Sequence, residues 1–200
     1  MLFLRFFTGF LTQVLPFAFL CIYPFKNHFR FAKKKTVLFS VILVFSLAAI
    51  FAAASCIFAV CTKDSDSYYG YTVVNSFFFV CLLVCLFWYL YIIRAIWQKK
   101  CFIFFFALTS ALTITSTSNL ILAAVPNEQE YHLLPYAACT IPVLLLTTAV
   151  ILPFLYLILK NYFIPMEEDL SRREYSYLSV FSILIFILLA GVLSYLDYGY

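Results

Sequence analysis

The sequence predicts an all-α fold, a polytopic membrane protein built as a bundle of six transmembrane helices. Of its 200 residues, 66% are hydrophobic and only 11% are charged, whereas about a quarter of the residues in a soluble domain are charged. The mean hydropathy is +1.03. Nine acidic and thirteen basic residues cannot coat a soluble globule of this size. The composition therefore excludes a soluble protein, and any enzyme here would have to work inside the membrane.

Six apolar runs of helical length carry this prediction. At 1.5 Å per residue each run can cross a hydrocarbon core of about 30 Å. A transmembrane β-barrel would instead need segments of about ten residues that alternate apolar and polar, and residues 77–84 do not alternate. We therefore predict one transmembrane domain over residues 1–200. Its spans are residues 2–23, 36–60, 71–93, 101–125, 132–159 and 176–196.

The fifth run is the longest and carries three prolines, Pro135, Pro142 and Pro153. Proline removes a helical hydrogen bond and its ring clashes with the preceding turn. We therefore expect this run to be kinked or to begin as an interfacial segment.

Basic residues predict the orientation of the bundle. Eleven of the thirteen lie in the first, third and fifth connections, at residues 26–35, 94–100 and 160–173. Lysine and arginine are retained on the cytoplasmic side during insertion. The other connections are acidic, and both termini are therefore expected outside the cell.

Enzymatic and transport signatures are sparse in this sequence. No ionisable residue lies at the middle of a predicted span, which disfavours a pump, a charged channel or a zinc protease. The seven cysteines form no C-x-x-C pair, so we interpret them as packing residues. We expect no catalytic residue, no metal site and no cofactor.

Residues 167–172 fit the E-E-x-x-x-R motif of prenyl-protein intramembrane proteases. That family needs two further histidine-bearing motifs downstream, and no histidine follows His132. We therefore interpret Glu167, Glu168 and Arg172 as part of a solvated turn.

Candidate ligand-binding residues lie on the fourth helix and in the acidic outer loops. The stretch from Thr109 to Asn119 is the most polar of any span, and interhelical packing is its ordinary explanation. A ligand cavity in the outer half is the alternative, with Gln13 and Ser76 as companions. The outer loops are either plain solvated hairpins or a receptor surface for a cationic or amphipathic ligand. The candidate set is Asn75, Ser118, Asn119, Glu128, Glu130, Tyr131 and His132.

Two segments resemble a known group. These are Tyr23-Pro24-Phe25-Lys26-Asn27-His28-Phe29-Arg30 and the turn Tyr162-Phe163-Ile164-Pro165-Met166-Glu167-Glu168 before the last aromatic-rich helix. They resemble the N-terminal membrane regions of Gram-positive sensor histidine kinases with a GHKL-type ATPase. The chain departs from the complete pattern, because it contains no phospho-acceptor histidine segment, no asparagine-bearing ATP-binding box and no glycine-rich lid.

The resemblance implies a multi-pass sensor region in the bacterial cytoplasmic membrane, belonging to a two-component system. Such a region detects an extracellular ligand or the state of the envelope and signals to a cytoplasmic histidine kinase output. The partners it implies are the lipid bilayer, an extracellular peptide or small ligand, and a second copy of the chain or a kinase. Nucleic acid is not expected as a partner, because the net charge of +4 is small.

Two other classes remain open. One is a six-helix substrate-binding subunit of a vitamin transporter, which has a similar length. That family typically keeps its termini inside and docks through small-residue faces, whereas this chain has only four glycines. The other class is a membrane assembly protein.

The orientation makes a testable prediction. Membrane-impermeant cysteine labels, or reporter fusions, are expected to place positions 99 and 172 in the cytoplasm, because both belong to basic connections. A label that reaches either position from outside intact cells would overturn the orientation.

Overall fold

The six-helix architecture is confirmed. The computed structural model describes residues 2–61, 67–123, 140–163 and 171–198. Within these ranges it contains six helices that are long and apolar enough to cross a membrane, and no β-strand beyond one isolated bridge. The helices are α1 (Leu2–Ile22), α2 (Lys33–Cys61), α3 (Ser67–Ile92), α4 (Trp97–Ala123), α5 (Thr140–Ile158) and α6 (Arg172–Tyr198).

Four helices begin before the apolar runs that predicted them. Helices α2, α3, α4 and α6 start at residues 33, 67, 97 and 172, rather than at 36, 71, 101 and 176. In α6 local hydrogen bonds stabilise the early start. At α6 the Ser171 amide donates to Glu174 Oε2 over 2.6 Å, and the Glu174 amide donates to Ser171 Oγ over 3.4 Å. This reciprocal pair is a capping box.

Helices α1 and α4 form the centre of the bundle. Helix α1 packs against α2, α4 and α5, and more lightly against α3. Helix α4 packs against α6, α5 and α1. Helix α3 therefore lies at one margin, on α2, and α6 lies at the other, on α4. This order places the interface of α1, α4 and α5 in the interior.

A cluster of aromatic rings holds α1, α2 and α3 together. Phe10 is fully buried, and its ring centroid lies 5.1 Å from that of Phe51 and 5.5 Å from that of Phe78. These separations are typical of favourable aromatic pairs. Lipid is as apolar as these side chains, so close packing rather than water exclusion stabilises the cluster.

The segments that flank the three basic connections meet at one end of the bundle, which we call the basic end. The amide of Arg30 donates to the Ile92 carbonyl and the amide of Arg94 donates to the His28 carbonyl, each over 2.8 Å. Lys99 is buried, with Nζ 5.3 Å from the ring centroid of Phe25 and 6.0 Å from that of Tyr175 at the start of α6.

Helix α5 reaches the basic end through a π-helical turn. The turn spans Leu159–Phe163, and the ring of Phe163 lies 5.0 Å from that of Phe102 on α4. Pro142 lies in the first turn of α5, and Pro153 lies inside the helix. The predicted beginning of this span at residue 132, with Pro135, lies outside the described residues.

Replacing Phe10 by alanine is expected to lower the free energy of unfolding by about 3 kcal/mol, because a buried ring would be lost from a packed cluster. Phe79→Ala is the matched control, since Phe79 is 62% exposed on α3 and faces lipid. Unfolding of the purified protein in detergent measures both. Equal losses for the two variants would show that the Phe10 cluster does not hold the three helices.

Candidate functional site

The hydroxyl groups of α4 are mostly satisfied within their own helix. Each of five side chains donates to the carbonyl four residues earlier, over 2.8 to 3.0 Å. Such bonds let a hydroxyl lie in an apolar environment without a partner on another helix. The five are Thr109, Ser110, Thr113, Thr117 and Ser118.

The candidate residues on α3 and α4 differ in how far they are buried. Ser118 is buried, and its hydroxyl donates to the Ile114 carbonyl, whereas the neighbouring Asn119 is exposed. Asn75 is half-buried on α3. A ring contact between α3 and α4 joins Tyr89 to Phe104 near the basic end. Asn75 and Ser118 each lie 14 residues from this contact, a rise of about 21 Å along either helix, so both belong to the opposite half of the bundle.

The other four candidates, Glu128, Glu130, Tyr131 and His132, lie outside the described residues. Among the residues that the structure describes, no group of three or more histidine, cysteine, aspartate or glutamate side chains could hold a metal ion.

A small cavity lies where α1, α4 and α5 meet. Its internal volume is about 20 Å³, which is enough for one water-sized group. Most of its surface is apolar, but four polar residues from the three helices contribute to it. The lining residues are Thr12, Gln13, Pro16, Phe17, Leu20, Ala111, Ile114, Thr115, Leu144 and Thr148.

Thr148 is the unusual member of this lining. It is 8% exposed, and its hydroxyl oxygen has no hydrogen-bond partner among the described residues. The adjacent Thr147 is also buried, but its hydroxyl donates to the Val143 carbonyl over 2.8 Å. A buried hydroxyl without a partner costs about 1–3 kcal/mol. Thr148 therefore carries a hydrogen-bonding capacity that the described chain does not use.

Pro16 also lies in this lining, inside α1. In a helix, the carbonyl of Thr12 would accept a hydrogen bond from the amide of residue 16, and proline has no amide hydrogen. The Thr12 hydroxyl itself donates to the Gly9 carbonyl over 2.8 Å. The cavity is thus small and mostly apolar, and the Thr148 hydroxyl in its lining can pair with one small polar group.

Sequence reasoning placed Gln13 beside a possible cavity but missed Thr12 and Thr148. Polar residues within apolar runs were the available signal. That signal does not tell which helices are neighbours, and the contact of α5 with α1 is a property of the folded bundle.

Thr148→Val is expected to raise the free energy of unfolding by about 1 kcal/mol, because it removes an unpaired buried hydroxyl while keeping the side-chain shape. Thr147→Val is the matched control and is expected to lower the free energy of unfolding slightly, since it loses a bond. Thermal unfolding in detergent compares them. A marked loss of stability in Thr148→Val would show that this hydroxyl has a hydrogen-bond partner.

Comparisons of the chain with protein-family models, curated proteins and solved structures gave no match. Its function must therefore be inferred from its own residues and their arrangement.

Proposed function

We propose that the chain is a non-enzymatic sensor region of the membrane, which detects an extracellular ligand or the state of the envelope and signals to a cytoplasmic histidine kinase output. The observation that carries the proposal is the cavity between α1, α4 and α5, with the unpartnered hydroxyl of Thr148 in its lining. A buried polar group that costs stability is typical of functional sites.

The packing around the cavity suits a small rearrangement. A hydrogen bond between membrane helices is worth only about 0.6 kcal/mol, so Thr148 can gain or lose one at modest cost. A ligand with tenfold higher affinity for one arrangement shifts the balance by about 1.4 kcal/mol. A ligand group that pairs with Thr148 in one arrangement only would supply such a difference.

The three helices of the cavity all continue to the basic end. Helix α1 leads into the turn Tyr23–Phe25, and the Tyr23 hydroxyl lies 3.1 Å from that of Tyr156 on α5. Helix α4 begins at this end, and the buried Lys99 lies in its first turn. Movement at the cavity can therefore pass along these rigid helices to the basic end. We infer this route from the fact that the same three helices contribute to both places.

The size of the cavity favours this function over vitamin transport. About 20 Å³ admits a hydroxyl, an amide or a water molecule, whereas small-molecule pockets measure about 300–1,000 Å³. A sensor needs only one group of its ligand to enter between the helices. A transport subunit would have to enclose the whole molecule.

Filling the cavity tests the proposal in cells. Ala111→Leu adds a side chain to the cavity lining, and Ala53→Leu makes the same change at an exposed position on α2. We expect Ala111→Leu to fix one arrangement and to change transcript levels of target genes by about threefold or more. Ala53→Leu is expected to behave as the unmodified protein, at equal abundance in the membrane.

A strain without the chain provides the reference. Transcript changes in this strain and in the Ala111→Leu strain would support a signalling role. The proposal fails if the deletion and both variants leave transcription unchanged, and a loss of solute uptake under those conditions would favour transport.

A further inference from the structure

Arg30 and Lys100 both bond to the C-terminal end of α3, Arg30 through its backbone amide and Lys100 through its side chain. The amide of Arg30 donates to the Ile92 carbonyl over 2.8 Å, and Lys100 Nζ donates to the Leu90 carbonyl over 3.1 Å. The Tyr89 hydroxyl donates to the Lys100 carbonyl. These bonds satisfy carbonyls that the last turn of a helix leaves free. They also fix the places from which the two side chains extend.

Capping explains Lys100 but not the guanidinium of Arg30. This group lies over the ring of Tyr91, 4.7 Å from its centroid, and it has no hydrogen-bond acceptor among the described residues. Both cations lie at the same end of α3, because Lys100 bonds to the Leu90 carbonyl and Arg30 lies over the ring of the next residue, Tyr91. Five N–H groups of arginine and two of lysine remain for another partner.

An exposed aromatic surface adjoins this pair of cations. Tyr91 is 49% exposed, and its ring lies 5.9 Å from that of Phe31 and 6.1 Å from that of Trp88. The Trp88 indole donates to Ser40 Oγ on α2. Phe87 lies one helical turn from Tyr91 on the same face and is also exposed. Aromatic belts of this kind mark the level of lipid headgroups.

We infer that Arg30 and Lys100 together bind the phosphate of an anionic phospholipid headgroup, whose acyl chains lie along the exposed face of Tyr91 and Phe87. A guanidinium binds phosphate through two parallel hydrogen bonds, and the ammonium adds a second positive charge. The adjoining apolar face favours a lipid over free phosphate, and basic pockets beside membrane helices bind such headgroups.

The test uses Trp88 as a reporter. The chain has two tryptophans, and Trp97→Phe leaves Trp88 alone beside the site. In this background the full chain is placed in phosphatidylcholine nanodiscs that contain an increasing fraction of phosphatidylglycerol brominated on its acyl chains, and bromine quenches the fluorescence. Brominated phosphatidylcholine is the control, and it gives the quenching expected when the site does not prefer one lipid to another.

Arg30→Gln with Lys100→Gln is expected to raise the half-saturating fraction of phosphatidylglycerol by about fivefold or more, because both phosphate contacts lose charge. The control variant, Lys33→Gln with Lys34→Gln, removes two exposed charges from the same end of the bundle. It should change the half-saturating fraction of phosphatidylglycerol by less than about twofold. Arg30→Lys keeps the positive charge but loses the two parallel hydrogen bonds of the guanidinium. It should therefore give a half-saturating fraction between those of the unmodified site and the double variant. Equal effects of the two double variants would overturn the inference.

Two further measurements on the unmodified site keep the inference falsifiable if the double variant does not fold. Inorganic phosphate, at constant ionic strength, should fail to displace brominated phosphatidylglycerol, and displacement would mean a site for the free anion. Neutralising residues 167–169 by Glu→Gln and Asp→Asn should leave the preference unchanged. A preference for phosphatidylglycerol that emerges only after this change would mean that residues 167–169 bind Arg30 and Lys100 in place of the lipid, and it would overturn the inference.

Discussion

Lipid offers no hydrogen bonds, and the structure follows from this constraint. Each backbone polar group inside the bilayer must be satisfied by the chain, so every span is a helix. The same constraint governs the side chains, because the hydroxyls of α4 return to carbonyls of their own helix. Where a helix ends, other groups satisfy its free carbonyls. At the end of α3 the Arg30 amide and the Lys100 ammonium donate to the last carbonyls. Thr148 is a buried exception to this rule.

The fold class and the polar character of α4 could be predicted from the sequence because both depend on local composition. Length, apolar content and lack of alternation are enough to identify six helices. The site is different. Ser118 and Asn119 are neighbours in the chain, yet one is buried and the other exposed, because the surroundings of each depend on which helix packs there. The sequence around Thr148 is that of an ordinary apolar helix. Only the position of Thr148 against α1 and α4 distinguishes this residue from the other polar residues of the spans.

The basic end shows a second limit of sequence reasoning. Charge counting predicted that three connections share one side, and the residues flanking them do meet. It could not predict how they meet. The bridge between Phe29 and Ile93 and the burial of Lys99 between two rings depend on long-range contacts. A buried ammonium is tolerated here because aromatic faces attract a cation, and that attraction strengthens as water is excluded.

One packed cluster joins the two ends of the proposed signalling route. At the basic end it includes Phe25, Ile92 and Leu159, and it extends to Phe17 and Leu20 in the lining of the cavity. At the cavity α1, α4 and α5 leave a small void and the unpaired Thr148 hydroxyl between them. A defect in packing costs least to rearrange where hydrogen bonds are fewest, so a change of arrangement would begin at the cavity. Because the helices are rigid and their basic ends are fixed, such a change would reach the connections as a tilt or rotation of whole helices rather than as local unfolding.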